Sequence, residues 1–305
     1  MRILLTGASS FSGLWFARML AEAGHTVVAA LRSSGYEDSL RKARAERVAQ
    51  YAELVPDAPF GGVAFTDLIV HRGPFDVLCH HGAEAAGHKR PDFDVEGAVR
   101  ANTWRMDETL AAFKAAGGTR LVITGSVFEQ DEGRGEEPRR AFSPYGLSKT
   151  LTSQAFGEGA QCAGLAFVKF VIPNPFGPFE AQTFQRHVMT AWREGRTPRV
   201  THPFYERDNV PVGLLARVYA AAAEGKLGAH VSPSFYAGPV GAFFQRMAAE
   251  VAPRTGWACG LELADSQSFD EPRARTNTQP VDPDAYDWVE SRFWDAYARY
   301  YTEGG

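Results

Sequence analysis

Short β-branched runs alternate with amphipathic stretches through the first half of this chain, and that rhythm constrains its fold more than any other feature. Residues 3–6, 26–31, 63–65, 77–80, 121–124 and 167–172 read as strands. Residues 13–23, 39–54, 95–116 and 145–163 read as the helices between them. Parallel neighbours need a crossover helix, so this alternation predicts an α/β fold built on a doubly wound parallel sheet. Near Pro173 the rhythm breaks: Pro and Gly become frequent and the apolar runs shorten. Residues 212–224 are again clearly helical.

The first strand leads into Thr6-Gly-Ala-Ser-Ser-Phe-Ser-Gly13, which opens the first helix and counts Phe11 among the candidate cofactor-binding residues. Gly7 permits a tight turn and Gly13 close helix–strand packing, so the helix start can offer amides to a pyrophosphate. Ser10 stands where a third glycine is common; it still lets the backbone approach but crowds the phosphate. The reading is a dinucleotide site, and the plain alternative is a simple strand-to-helix turn. We therefore expect a Rossmann-type domain from residues 1–172 with 212–230. Residues 173–211 and 231–305 then form a smaller α+β substrate lobe, packed closely with a cleft between the two. At the end of the second strand a carboxylate would grip the ribose 2′-hydroxyl of NAD. The chain has Arg32-Ser33-Ser34 there and no acid until Glu37. Arg32 with two hydroxyls suits a 2′-phosphate, which favours NADP over NAD.

The chemical end is Tyr145-Gly-Leu-Ser-Lys149. Four residues apart on a helix, phenol and ammonium share one face, and a nearby cation eases ionisation of the phenol. Such a pair can move a proton on or off an alcohol or carbonyl oxygen. Thr124 and Ser126 sit at the end of the strand before it, where a hydroxyl can steady the reacting oxygen. Both could instead be turn formers.

Composition sets the outer bounds. With 305 residues, 45% apolar and 22% charged, the chain can bury a sizeable core. A net charge of −4 offers no basic face for nucleic acid. No apolar run reaches the ~18 residues that span a bilayer, so no membrane partner is expected. The opening run shows no secretory leader, and three scattered cysteines, Cys79, Cys162 and Cys259, suit a reducing cytoplasm as small core residues. Adjacent His80 and His81 lack a third ligand in the sequence, so no metal site is expected. The acidic 131–137 loop reads as a solvated flap, and the aromatic C-terminus as a helix docked on the body or on another subunit.

Taken in order, Thr6-Gly…Gly13, Asp67-Leu68, His80-His-Gly-Ala83, Asn102, the hydroxyl strand end, Tyr145/Lys149, Pro173-Asn-Pro-Phe-Gly-Pro178 and Arg207-Asp-Asn-Val-Pro-Val212 resemble an extended short-chain dehydrogenase/reductase of the NAD(P)-dependent nucleotide-sugar epimerase/dehydratase type. The resemblance runs over nearly the whole length. It implies that Asp67, with Leu68 beside it, serves the adenine and the 80–83 loop, including His80 and Gly82, the cofactor's diphosphate-ribose side. Tyr145 becomes the proton donor or acceptor, Lys149 holds the nicotinamide ribose, and Asn102 supports the helix near that lysine. Asn174 and Arg207 fall on the nucleotide-diphosphate side of a nucleotide-sugar substrate, with Arg273 or Arg275 as a second contact and Lys89, beside His88 and Arg90, near the sugar. A homodimer through 95–116 and 145–163 is also implied.

Three departures narrow the reading. Ser10 replaces a family glycine. The hydroxyl has two registers: counting from the strand end favours Ser126, and counting back from Val127-Phe128 gives Thr124. The acid pair of sugar dehydratases is absent, with Val127 and Phe128 in its place, which argues against elimination of water. The expectation is a nucleotide-sugar 4-epimerase, with an NADP-dependent 4-keto-sugar or other ketone reductase as the alternative. A non-catalytic NADP-binding sensor is the reading from a different class.

Overall fold

A computed structural model describes residues 1–33, 35 and 38–304; Ser34 and Glu37 of the second-strand reading lie outside the described residues. The chain begins β1 (Arg2–Thr6), α1 (Phe11–Glu22), β2 (Thr26–Ala30), α2 (Ser39–Val48), β3 (Glu53–Val55), α3 (Val63–Arg72) and β4 (Val77–His80). It continues with α4 (Val95–Asn102), α5 (Met106–Ala115), β5 (Arg120–Ser126), β6 (Arg134–Gly135), α6 (Pro144–Cys162) and β7 (Ala166–Ile172). Next come β8 (Asn174–Phe176), α7 (Phe184–Arg193), β9 (Arg199–Val200), β10 (Glu206–Pro211), α8 (Val212–Ala223) and β11 (His230–Val231). The chain closes with β12 (Pro233–Ser234), β13 (Tyr236–Pro239), α9 (Val240–Thr255), β14 (Glu262–Leu263), β15 (Arg275–Thr276), β16 (Gln279–Pro280) and α10 (Glu290–Thr302). Among the described residues no helix is long and apolar enough to cross a membrane.

Two compact units emerge. The first comprises Met1–Glu132, Arg139–Ile172 and Ala216–Val231; the second comprises Gly133–Pro138, Pro173–Leu215 and Ser232–Gly305. In the first, a parallel sheet runs β11-β7-β5-β4-β1-β2-β3. Ile3, Leu4 and Leu5 are all fully buried, as strands covered on both faces require. Each such side chain contributes about 1.5–3 kcal/mol of burial. The direction of winding reverses between β1 and β4, so their carboxyl ends border the crevice where such sheets hold ligands.

Four expectations need correction here. Residues 63–65 are not a strand but the start of α3, which buries Phe65, Leu68 and Ile69 at helical spacing. The third strand is instead β3, and Ser39 begins a helix that stops at Val48 rather than Leu54. The 95–116 helix is broken by Arg105, whose φ of 47° is left-handed. Cys162 is exposed at the end of α6 and is not a core residue, whereas Cys79 is buried.

The second unit carries the helices α7 and α9 although Pro and Gly are frequent and apolar runs short over its sequence. Its core gathers Phe176, Met189, Trp192, Phe243, Phe244 and Met247 with the aromatic face of α10: Phe293, Trp294, Tyr297 and Tyr301. Tyr297 and Tyr301 hydroxyls donate to Glu180 Oε1 at 2.6 and 2.7 Å, and Thr183 donates to Oε2 at 2.8 Å. Burial pushes this carboxyl up to about 7 despite the three donors.

A carboxyl raised on folding stabilises the protonated native state, so its contribution is full below about pH 4.5 and is lost as pH rises through about 7. We expect the stability of wild type relative to Glu180→Gln to fall by roughly 2–3 kcal/mol between pH 5 and pH 8. Denaturant unfolding of both proteins across that range checks this; a constant difference would refute it.

Candidate functional site

At the end of β1 the chain makes the turn that the sequence implied. Gly7 has φ 72°, and a Cβ on it would lie 2.7 Å from the Gly82 nitrogen in the loop after β4. A Cβ on Gly13 would lie 2.2 Å from the Gly7 carbonyl oxygen. These two glycines therefore set a close-fitting cradle at the start of α1, where Phe11 is the first helical residue. Ser10 caps the helix: its Oγ accepts from the Gly13 amide at 3.0 Å. That serine thus occupies a donor that a glycine would leave open to a phosphate. The cradle otherwise suits a diphosphate, with a positive helix end and backbone in close approach.

The histidine pair fixes this cradle from beneath. His80 Nδ1 meets Thr6 Oγ1 at 3.0 Å, and the Gly82 amide donates to the same oxygen at 3.0 Å. The His80 ring lies between Phe60 and Phe156, with centroids at 4.2 and 4.9 Å, so it is a core group rather than a ligand-facing one. His81 bridges two elements: Nε2 meets Ser10 and Ser12 hydroxyls at 2.9 and 3.0 Å, and Nδ1 meets Thr124 Oγ1 at 3.0 Å. Burial first, and then the Lys149 charge, push both rings down to about 3. Sequence spacing gave no sign of the His81 bridge, because its partners lie on separate segments.

Ser143 caps α6, with Pro144 in its first turn, and α6 carries Tyr145 and Lys149 one turn apart. Gly146 lets the helix start approach the β5 loop, since a Cβ there would lie 2.4 Å from the Phe128 carbonyl oxygen. Lys149 is buried and donates to the Thr124 carbonyl at 2.7 Å. Burial lowers this ammonium's pKa, with Glu129 opposing the shift. Tyr145 is flanked edge-on by His88 and Phe93 at 5.6 and 5.7 Å. Burial, and after it the Glu129 carboxylate, push its phenol up to about 12. Burial and Glu129 thus act against the easing of ionisation expected from the Tyr–Lys spacing.

Of the two hydroxyls, Thr124 is buried and engaged with His81, whereas Ser126 is half-buried and accepts from the Phe128 amide at 3.2 Å. Behind Ser126 lies a feature that the sequence reading missed. Glu129 is fully buried, accepts from the Ser126 amide at 2.8 Å and pairs with Lys169 at 2.6 Å. Lys169 also pairs with Glu132 at 2.6 Å, and Glu132 meets His230 at 2.9 Å. Glu132 is therefore no part of a solvated flap, a correction to the reading of the 131–137 loop. An acid close behind a strand-end hydroxyl, facing a lysine on the next strand, was the available signal.

The remaining first-unit candidates are less central. Arg32 pairs with Glu84 at 2.9 Å, and Lys89 is exposed on a turn. Asn102 is buried; its Oδ1 accepts from the Glu84 amide at 2.7 Å and its Nδ2 donates to Thr152 at 3.4 Å. Asp67 and Leu68 lose their premise, because α3 rather than a strand carries them: Asp67 is exposed and Leu68 is packed in the core. The acid that follows the true third strand is Asp57, in a left-handed turn at φ 53°.

In the second unit, Asn174 on β8 lies opposite Asn209 on β10. Arg207 is buried over the Tyr205 ring at 4.4 Å and donates to the Arg273 carbonyl at 2.9 Å and to Glu271 at 3.2 Å. Arg273 is more than half exposed, whereas Arg275 is fully buried, so Arg273 is the accessible one of the two.

The profile described as NAD dependent epimerase/dehydratase family matches residues 3–196. No curated protein matches the sequence. Among solved structures, UDP-glucose 4-epimerase of Thermotoga maritima with UDP-glucose is similar, with a TM-score of 0.75 and 17% identity over 99% of both chains. UDP-glucuronic acid 4-epimerase of Bacillus cereus, with a fluorinated UDP-glucuronic acid and NAD, follows at 0.74 and 15% over 99% of both. UDP-glucose 4-epimerase of Thermus thermophilus with NAD gives 0.71 and 17% over the whole of both chains. At these identities the likeness is one of fold.

The buried bridge has a direct signature. Ser10 Oγ, which also accepts from the Gly13 amide, and Ser12 Oγ lie at Nε2, and Thr124 Oγ1 lies at Nδ1, so each ring nitrogen of a neutral His81 has a hydroxyl partner. Imidazole 15N spectra should show His81 neutral down to about pH 5. Titration of that ring near pH 6.5 would overturn the assignment.

Proposed function

Because the chain belongs to the NAD-dependent epimerase/dehydratase family of extended short-chain dehydrogenase/reductases, we propose that it performs oxidation and reduction at a carbon of a nucleotide-linked sugar, as a 4-epimerase. The observation that carries this reading is the Tyr145–Lys149 pair, with Lys149 reaching the strand end that bears Thr124 and Ser126. The neighbours that bind UDP-sugars support the substrate class.

When bound, the dinucleotide supplies hydride transfer and, oxidised, a positive ring. The chain's own groups do the rest. Gly7, Gly13 and the start of α1 hold the diphosphate, and Lys149 holds the ribose next to the nicotinamide. Tyr145 takes the proton from the sugar hydroxyl and returns it. With its phenol held up at about 12 by burial, Tyr145 needs a further cation beside it before it can act as a base near neutral pH. Ser126 or Thr124 steadies the oxygen. Arg207, Asn174 and Arg273 take the nucleotide diphosphate, for which planar guanidinium donors are suited. Val127 and Phe128 cannot serve as the acid and base that elimination requires.

A 4-keto-sugar reductase would use the same groups once instead of twice. Arg32, which alone would favour NADP, is the observation in its favour. Mass spectrometry of the purified protein separates the two: retained NAD(H) fits the epimerase, and freely exchanged NADP(H) the reductase.

Turnover should be measured with UDP-, GDP-, CDP- and dTDP-sugars, following both interconversion and net cofactor oxidation. Tyr145→Phe should lower kcat at least about a hundredfold, the scale of lost general acid–base catalysis. Thermal shift with the same nucleotides should show stabilisation by one of them. Silence toward all four would sink the nucleotide-sugar reading, and full function of Tyr145→Phe would favour a binding protein without catalysis.

A further inference from the structure

Among the described residues that follow β2 there is no carboxylate to read a ribose 2′-hydroxyl before Asp38, yet the fold brings one to Arg32 from the loop after β4. Glu84, in the loop after β4, reaches Arg32 at 2.9 Å across 52 residues of sequence. Its position is built rather than incidental. The backbone amide of Glu84 is held by buried Asn102, and its Oε1 accepts from the Ala86 amide at 2.9 Å. An exposed ion pair of this kind adds about 0–1 kcal/mol to stability, so its weight lies in the local charge it sets.

We infer that Glu84 is a specificity-determining residue for the adenosine ribose: it neutralises Arg32, presents a carboxylate beside the 2′ position and so disfavours NADP relative to NAD. This rests on the dinucleotide reading proposed above. A 2′-phosphate must compete with Glu84 for the guanidinium and lie close to a like charge. An unphosphorylated ribose meets neither cost and finds an acceptor for its hydroxyls. Arg32 alone, as read in the sequence, points to NADP; Arg32 with Glu84 points the other way. Arg41, whose Nε donates to Ser9 Oγ at 3.3 Å, is a further cation at the phosphate turn. Glu84→Gln keeps the acceptor for Ala86 and removes only the charge.

Affinities for NADH and NADPH should be measured by nicotinamide fluorescence on nucleotide-stripped wild type, Glu84→Gln, Arg32→Ala and the double variant, with melting curves confirming the fold. Wild type should prefer NADH. Glu84→Gln should raise the NADPH-to-NADH affinity ratio about tenfold, the size expected for removing one like charge near a phosphate at the surface. Arg32→Ala should lower that ratio in wild type, because Glu84 then stands unneutralised, and in Glu84→Gln it should remove the part of the gain that the released arginine supplies. If NADH binds and the ratio stays within about twofold in Glu84→Gln, or if wild type prefers NADPH, the role of Glu84 is wrong while the dinucleotide reading stands. If no protein in the set binds either dinucleotide, both fall.

Discussion

Between Gly7 and Gly82 there is no room for a single carbon atom, and the first unit is organised around that contact. It forces the turn after β1 against the loop after β4 at the point where the winding of the sheet reverses. From there α1 begins with its amides facing the crevice, and His81 is carried into reach of Ser10, Ser12 and Thr124. An alanine at Gly7 would push apart the two loops that any dinucleotide must touch, whereas a Cβ on Gly82 would come no closer than 3.2 Å, to the Thr6 hydroxyl. The buried strands behind them give the contact its rigidity, since neither β1 nor β4 can shift without exposing apolar side chains.

Charge burial is the second organising theme. Lys149 gives up water for one backbone carbonyl, and Lys169 gives it up for two carboxylates, Glu129 and Glu132. Removing one partner of such a group leaves an uncompensated charge, which is far costlier than loss of a surface pair. Glu129 also holds the Ser126 amide and acts on Tyr145 through space. The strand-end hydroxyl and the tyrosine therefore share one electrostatic setting, although no sequence motif links Glu129 to either. Within that setting burial and Glu129 push the phenol's pKa up.

The parallel sheet was legible because strands buried on both faces appear as unbroken apolar runs, as 3–5 and 121–123 do. Residues 63–65 misled because Val63 and Phe65 look like a strand after two glycines; Phe65, Leu68 and Ile69 at helical spacing were the better guide. The break at Arg105 left no trace, since neither Gly nor Pro marks it. In the candidate site, Gly7, Gly13, Tyr145 and Lys149 were visible because their spacing is local. The Arg32–Glu84 and Glu129–Lys169 pairs were not, because the fold alone brings residues on different segments together.

The serine at the head of α1 has a consequence for how the chain is made. A helix start left open for a phosphate is incomplete until the ligand arrives, and folding must carry that deficit. Here Ser10 supplies an oxygen from within the chain, a cap of about 1 kcal/mol by the usual measure. With that oxygen in place one amide fewer stands unpaired before a ligand arrives, and a phosphate bound at the Gly13 amide would have to displace the serine oxygen.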